Sequence, residues 1–148
     1  MTARMTPSHR ERRGPYSFLQ HAEPCIQLYA SDGAAAIGRV GLCVHPSSKK
    51  TRELDCAELV GLGVATSHRG RGIGTRLVRE AEAVARLLGR SRVGATVGLE
   101  NTQGRALFDR LGYRATRFRS VSAGTRLVED NGVTHEEDVL GDYIVKDL

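Results

Sequence analysis

One stretch, Glu58 to Thr75 (ELVGLGVATSHRGRGIGT), limits what this chain can become. Leu59, Val60, Leu62 and Val64 form a short apolar run, β-branched at two positions, with the length and chemistry of a buried strand. Gly61 and Gly63 interrupt it, and glycine inside a strand marks a bulge or a close backbone approach. Arg69-Gly70-Arg71-Gly72-Ile73-Gly74 then leaves the backbone bare at alternate positions. An amphipathic pattern starts there, with Ile73, Leu77, Val78, Ala81, Val84, Ala85 and Leu88 at helical spacing. A glycine-rich turn that feeds a helix aims free N–H groups and the positive end of the helix dipole at one point. That is an anion site, most often for phosphate.

Spacing separates the families that build such sites. A Walker loop needs Lys and then Ser or Thr after its last glycine, but Gly74 is followed by Thr75 and Arg76. A dinucleotide fingerprint wants G-x-G-x-x-G and an acidic residue about 20 positions on, closing the next strand. Here the helix and its following strand already fill the interval to Glu100. R-x-x-G-x-G is matched at Arg69, Gly72 and Gly74. After a strand, this pattern resembles the pyrophosphate loop of the GNAT N-acetyltransferase superfamily, which binds acetyl-CoA.

The next segment extends the resemblance. Arg92 to Leu99 reads as a strand closing on Glu100-Asn101, and Asn101 suits the N-cap of a second helix, Thr102 to Leu111, stopped at Gly112. The superfamily's second motif is N-x-x-A-x-x-L-Y-x-x-x-G-F. Asn101, Gly104, Leu107, Phe108, Gly112 and Tyr113 stand at its offsets. Gly104 replaces Ala, Phe108 replaces Tyr, and Tyr113 replaces Phe. The two motifs run from Glu58 to Tyr113, more than a third of the chain.

The resemblance implies an α/β fold: a GNAT-type central mixed, mostly antiparallel sheet with flanking helices. At 148 residues the chain is long enough for one domain with a substantial core. The expected organisation is a loosely ordered terminus over 1–15 and a single domain over 16–148. Tyr16 to His21, Cys25 to Tyr29 and Ala36 to Val44 read as strands, with Pro24 and Ser31-Asp32-Gly33 as breaks. Ser47 to Arg52 reads as a polar connector. No helical period is evident before Glu58, so the N-terminal helices usual in the superfamily are expected to be shortened or missing. Tyr113 to Val121 and Val139 to Val145 read as the last two strands, joined by the acid-rich Glu129 to Asp138.

Composition removes other function classes. No apolar run reaches the length of a membrane span, and the Arg-rich first 15 residues lack a signal peptide's apolar core. A cytoplasmic protein without membrane contact is expected. The net charge of +5 hides twelve Arg against four acids from Arg69 to Arg119, and six acids without Lys or Arg from Glu129 to Asp142. The basic half suits a polyanionic cofactor. Few aromatics and no recognition motif argue against nucleic acid. The acidic segment either draws in a cationic amine or is a solvated loop. Cys25, Cys43 and Cys56 are odd in number and lack C-x-x-C spacing, so neither zinc nor a disulfide framework is expected, and each reads as a reduced, buried cysteine. No metal is expected. His68 either touches a phosphate or faces solvent.

Acetyl transfer needs a held thioester, a neutral amine, a polarised carbonyl and a protonated leaving thiolate. By resemblance, Gly70, Arg71, Gly72, Ile73, Gly74 and Thr75 hold the pyrophosphate through backbone N–H groups, with the side chains of Arg69 and Arg71. The pantetheine arm runs along Leu62, Gly63 and Val64, and the Val64 N–H polarises the carbonyl where the strand bulges. Asn101 bonds the arm, caps its helix, or does both, and Phe108 packs against the arm. Glu58, eleven residues before Arg69, is the candidate base, at a position where several superfamily members carry glutamate. Glu53 and Asp55 are alternatives. The implied activity is N-acetyl transfer from acetyl-CoA to a small-molecule or peptide amine. A non-catalytic acyl-CoA-binding module is the rival, and a homodimer is left open.

Overall fold

The computed structural model describes residues 2–5, 25–127 and 134–148. The strand expected over Tyr16 to His21 lies outside these residues, as do most of the expected loose terminus and the start of the acid-rich connection at Glu129 and Asp130. The chain forms two compact units, Met1–Gly94 with Asp147–Leu148, and Ala95–Lys146.

In the first unit, β1 (Thr2–Met5), β2 (Cys25–Asp32), β3 (Ala35–Cys43) and β4 (Ala57–Val64) lie side by side, each antiparallel to the next. Gly33, at φ +60°, makes the β2–β3 turn that its Ser-Asp-Gly context announces. Helix α1 (Lys49–Leu54) precedes β4, and α2 (Ile73–Leu87) follows it after a single 3₁₀ turn at Thr66–His68. Leu77, Val78, Ala81 and Ala85 of α2 are buried, as are Leu28, Val40, Leu42 and Leu59 from the strands. The helix sits close on β3: a Cβ at Gly38 would lie 3.0 Å from Leu77 Cδ1 and 3.2 Å from Ile73 Cγ2. Strand β5 (Arg92–Gly98) starts in this unit and ends in the second. At its start, Arg92 donates from Nε to Asp147 and from Nη1 to the Leu54 carbonyl, both at 2.6 Å. The bond to Asp147 holds the guanidinium above the ordinary arginine range, against partial desolvation.

In the second unit the strand order is β5-β7-β6, with β6 (Arg114–Leu127) antiparallel to β7 (Thr134–Asp147). Helix α3 (Thr102–Arg110) is capped by Asn101, whose side chain accepts from the Gly104 N–H at 2.9 Å. Gly112, at φ +90°, ends it. Phe108, Leu111, Tyr113, Tyr143 and Ile144 are buried here.

Four features differ from the sequence reading. Ser47 to Arg52 is not simply a polar connector. Ser48 caps α1 by accepting from the Thr51 N–H, and the buried Thr51 hydroxyl bonds the Pro46 carbonyl. Among the described residues α1 is the one helix before Glu58, six residues long. Strands β6 and β7 run past the expected ends, from Ala123↔Asp138 to Leu127↔Thr134, so Thr134 to Asp138 is ladder rather than connection. Thr2–Met5 pairs with β2, inside the segment expected to be loosely ordered. Finally, Cys25 and Cys43 are joined by a disulfide, against the expectation of reduced cysteines, because the β2–β3 register sets them directly opposite each other. Cys56 is a buried thiol. No helix among the described residues is long and apolar enough to cross a membrane.

Candidate active site

The loop expected to hold an anion is built by glycines that no other residue replaces cheaply. Gly70 and Gly72 stand at φ +75° and +77°, where a side chain strains the backbone. A Cβ at either would meet no atom within 4 Å, so the loop surface is open above them. Gly72 is the N-cap of α2 and offers no side chain to satisfy the first-turn N–H groups. Ile73, Gly74 and Thr75 therefore carry donors at the positive end of a fifteen-residue helix. The arrangement fits a phosphate. Arg71 is exposed beside it, whereas Arg69 folds back and donates from Nε to the Val64 carbonyl at 3.1 Å.

Strand β4 leads into this loop. Its pairing with β3 slips between Gly41↔Val60 and Arg39↔Gly63, setting Gly61 and Leu62 opposite Val40, with Gly61 at φ +63°. The bulge expected from the glycines is thus present, but ahead of Val64, which is back in register with Gly38. The Ala65 N–H donates to the Ile37 carbonyl at 2.7 Å. Since peptide N–H groups alternate sides along a strand, that of Val64 turns away from β3. Alternation, rather than the bulge itself, takes it out of the β3 ladder.

Glu58 lies on the same strand, opposite Cys43. It is 6% exposed, so it is no solvent-facing edge residue. The Lys50 ammonium of α1 stands 3.8 Å from its Oε1. The alternatives lie elsewhere: Glu53 pairs with Lys49 at 3.7 Å, and Asp55, 83% exposed, with Arg90 at 3.2 Å. A pocket of about 360 Å³ lined by His45, Thr51, Arg52 and Arg90 opens at the start of β4, at the opposite end from the anion loop, and holds none of the expected cofactor residues.

The remaining expected residues belong to the second unit. Asn101 and Thr102 line a cleft of about 280 Å³ together with Gly98, Arg105 and Asp142. Arg105 is held there by Asp142 at 2.9 Å. Phe108 is 5% exposed and meets Tyr113 edge-to-face, with ring centroids 4.9 Å apart. Among the described residues no cluster of His, Cys, Asp and Glu could hold a metal ion.

With the loop, the strand and the capped helix in place, comparison with known proteins is decisive. Residues 2–113 match the family model described as Acetyltransferase (GNAT) family. The chain belongs to the GNAT acetyltransferase family. Its fold is the family's: a mixed, mostly antiparallel sheet flanked by helices. IAA acetyltransferase from Bacillus cereus superposes with a TM-score of 0.64 at 19% identity, covering 99% of both chains. Ribosomal-protein-alanine N-acetyltransferase from Brucella melitensis gives 0.61 at 20% identity, over 84% of this chain and 69% of that one. The YncA protein of Salmonella typhimurium, solved with its cofactor acetyl-CoA, gives 0.61 at 18% identity, over 84% and 65%. A curated relative, acetyl transferase GW6a of Oryza sativa subsp. japonica, is 32% identical over 113 residues, 70% of this chain and 27% of its own. The GNAT chain thus spans about a quarter of that relative's length.

Within this GNAT chain one departure from the second motif, Gly104, has a local reason. An Ala Cβ at position 104 would lie 2.5 Å from Asn101 Nδ2, so Gly104 makes room for the folded cap. Sequence reasoning missed Lys50, whose six-residue helix shows no period, and the Cys25–Cys43 pair, whose partner choice depends on register. It also missed the fixing of His68, which accepts or donates between Ser67 Oγ at 2.8 Å and Asp32 at 3.2 Å.

Proposed function

We propose that this GNAT chain transfers an acetyl group from acetyl-CoA to a primary amine by direct attack in a ternary complex. The observation that carries the reading is the strand β4 itself. It bears a buried carboxylate, Glu58, near one end and opens at the other onto positive-φ glycines and uncapped helix donors. The N–H groups of Gly70 to Thr75, with Arg71, hold the pyrophosphate, and Arg69 either stays on Val64 or swings outward to join them. The arm lies along Leu62, Gly63 and Val64. The Val64 N–H, directed away from β3, donates to the thioester oxygen and stabilises the charge that develops there. Glu58 takes the proton from the attacking amine, directly or through water. The nitrogen–carbon bond forms, the carbon–sulfur bond breaks, and the thiolate leaves.

The second reading, an acyl-CoA-binding module with little turnover, is favoured by one observation. Phe108 stands buried where many superfamily members carry a tyrosine hydroxyl, and it has no proton to give the thiolate. One experiment separates the two readings: free-thiol release from acetyl-CoA across a mixed amine library, with mass detection of the product. An acetylated amine with matching thiol release supports the enzyme. Tight acetyl-CoA binding without any product supports the module.

A further inference from the structure

Three cross-strand positions fall in one register line. Cys25 on β2 is opposite Cys43 on β3, and Cys43 is opposite Glu58 on β4. Directly opposed residues of antiparallel strands share a face, with Cβ atoms about 4.5–5.5 Å apart. The disulfide joins the first two, so the bridge ends at the residue paired with Glu58. Exposure is unequal along the line: Cys43 is 2% exposed and Glu58 6%, whereas Cys25 is only half-buried. The bridge thus runs from a partly exposed residue to a buried one.

We propose that Cys25–Cys43 is a reversible thiol–disulfide site, opened at Cys25 by a small-molecule thiol, whose state sets the environment of Glu58. The inference rests on the reading of Glu58 as the general base. Exchange begins when a thiolate attacks Cys25 Sγ. The new sulfur–sulfur bond forms, the Cys25–Cys43 bond breaks, and its electron pair leaves on Cys43, which takes a proton from water. A second thiolate then attacks the small molecule's sulfur in the mixed disulfide, releasing Cys25 as a thiol once protonated. Two small thiols are oxidised to one disulfide, and the protein disulfide is reduced to two thiols. The co-reactant class includes glutathione and the CoA thiol that acetyl transfer itself releases.

The direction of the effect follows from the neighbours. The exchange leaves Cys43 as a thiol, buried and paired with Glu58 across the strands. A thiol is a weak donor, and the residue paired with it on β4, Glu58, is an acceptor. Two unbonded sulfurs also need more room than a disulfide, at a position already packed. Reduction therefore binds Glu58 on the β3 side while Lys50 holds it at 3.8 Å, and the reduced chain turns over more slowly.

The test equilibrates the full chain against a series of glutathione to glutathione-disulfide ratios, followed by acid quench, alkylation and peptide mass mapping. Cys25 and Cys43 should convert together while Cys56 stays a thiol, with the mixed glutathione adduct on Cys25. In the reduced chain, Glu58→Gln should speed iodoacetamide capture of Cys43, a readout that needs no acceptor. Turnover of the amine returned by the library should fall several-fold along the same transition, with acetyl-CoA affinity unchanged. Cys25→Ser should show the reduced rate at every ratio. Cysteines that do not convert, an adduct on Cys43, a capture rate indifferent to Glu58→Gln, or parental turnover in Cys25→Ser each overturn the inference. A parent whose turnover ignores the ratio while Glu58→Gln is slow sinks the redox site alone. Parental turnover in Glu58→Gln sinks the base assignment and the coupling with it.

Discussion

The Lys50 ammonium stands 3.8 Å from the Glu58 carboxylate, joining a short helix to the strand that leads into the anion loop. The pair is largely buried on both sides, with side-chain exposures of 20% and 7%. It gives the carboxylate a partner in place, and on the proposed function an arriving amine would meet a site already holding a cation.

Glu58→Gln tests the proposed base directly. The change keeps the shape and leaves the loop untouched, so acetyl-CoA affinity should be unaltered. Turnover should drop by roughly 10²–10⁴-fold, the usual cost of losing a general base. The loss should be largest near neutral pH, where the amine is protonated, and should shrink as rising pH supplies the free amine. A pH profile matching the parent's would reduce Glu58 to a structural residue.

Lys50→Met removes the internal cation while keeping most of the side chain's volume. With Glu58 released from it, a cationic amine should be drawn in better, and its KM should fall while acetyl-CoA affinity holds. Steady-state kinetics with the amine varied measure this. An unchanged or raised KM would show that Lys50 does not compete with the acceptor.

Gly72→Val places a β-branched residue at φ +77° in the open space above the loop. Strain of about 1–3 kcal/mol should lower the melting temperature without unfolding the chain. The larger effect should be on ligand affinity, because the Cβ stands where phosphate oxygens would approach the helix donors. Calorimetry with acetyl-CoA reads it out, and parental affinity would remove the phosphate-loop assignment.

How much of this was legible depends on what decides each element. The stretch from Glu58 to Thr75 was readable because its glycines and apolar spacing carry local geometry: a bulge at Gly61, positive φ at Gly72, a buried face on α2. Asn101 and Gly112 marked the ends of α3 for the same reason. Helix α1 was not readable, since six residues are too few to express a period and its cap, Ser48, sits in a polar run that reads as a connector. Thr134 to Asp138 looked like loop because acidic residues are poor strand formers, yet pairing with β6 outweighs propensity there. The disulfide was invisible for a related reason. Eighteen residues of separation say nothing until the β2–β3 register is known, including its slip between Ala30 and Ser31.

Phe108 carries the prediction that separates enzyme from binding module. It is 5% exposed and packed edge-to-face on Tyr113, which is equally buried. Tyr113 stands in a packed position just before β6, with Lys146 5.8 Å over its ring. Phe108→Tyr adds one hydroxyl at the edge of that pair. If the leaving thiolate lacks a proton donor, the new hydroxyl should raise turnover by about tenfold, the cautious end of what acid catalysis supplies. Acetyl-CoA affinity should stay within a few-fold, because the aromatic face is kept. A hydroxyl buried without a partner would instead cost about 1–3 kcal/mol, visible as a lower melting temperature with no kinetic gain. Thermal melts and steady-state rates on the same preparations therefore read the two consequences separately. A parent that is already fast, with Phe108→Tyr neutral or slower, would establish that this site expels the thiolate without help from a side-chain acid.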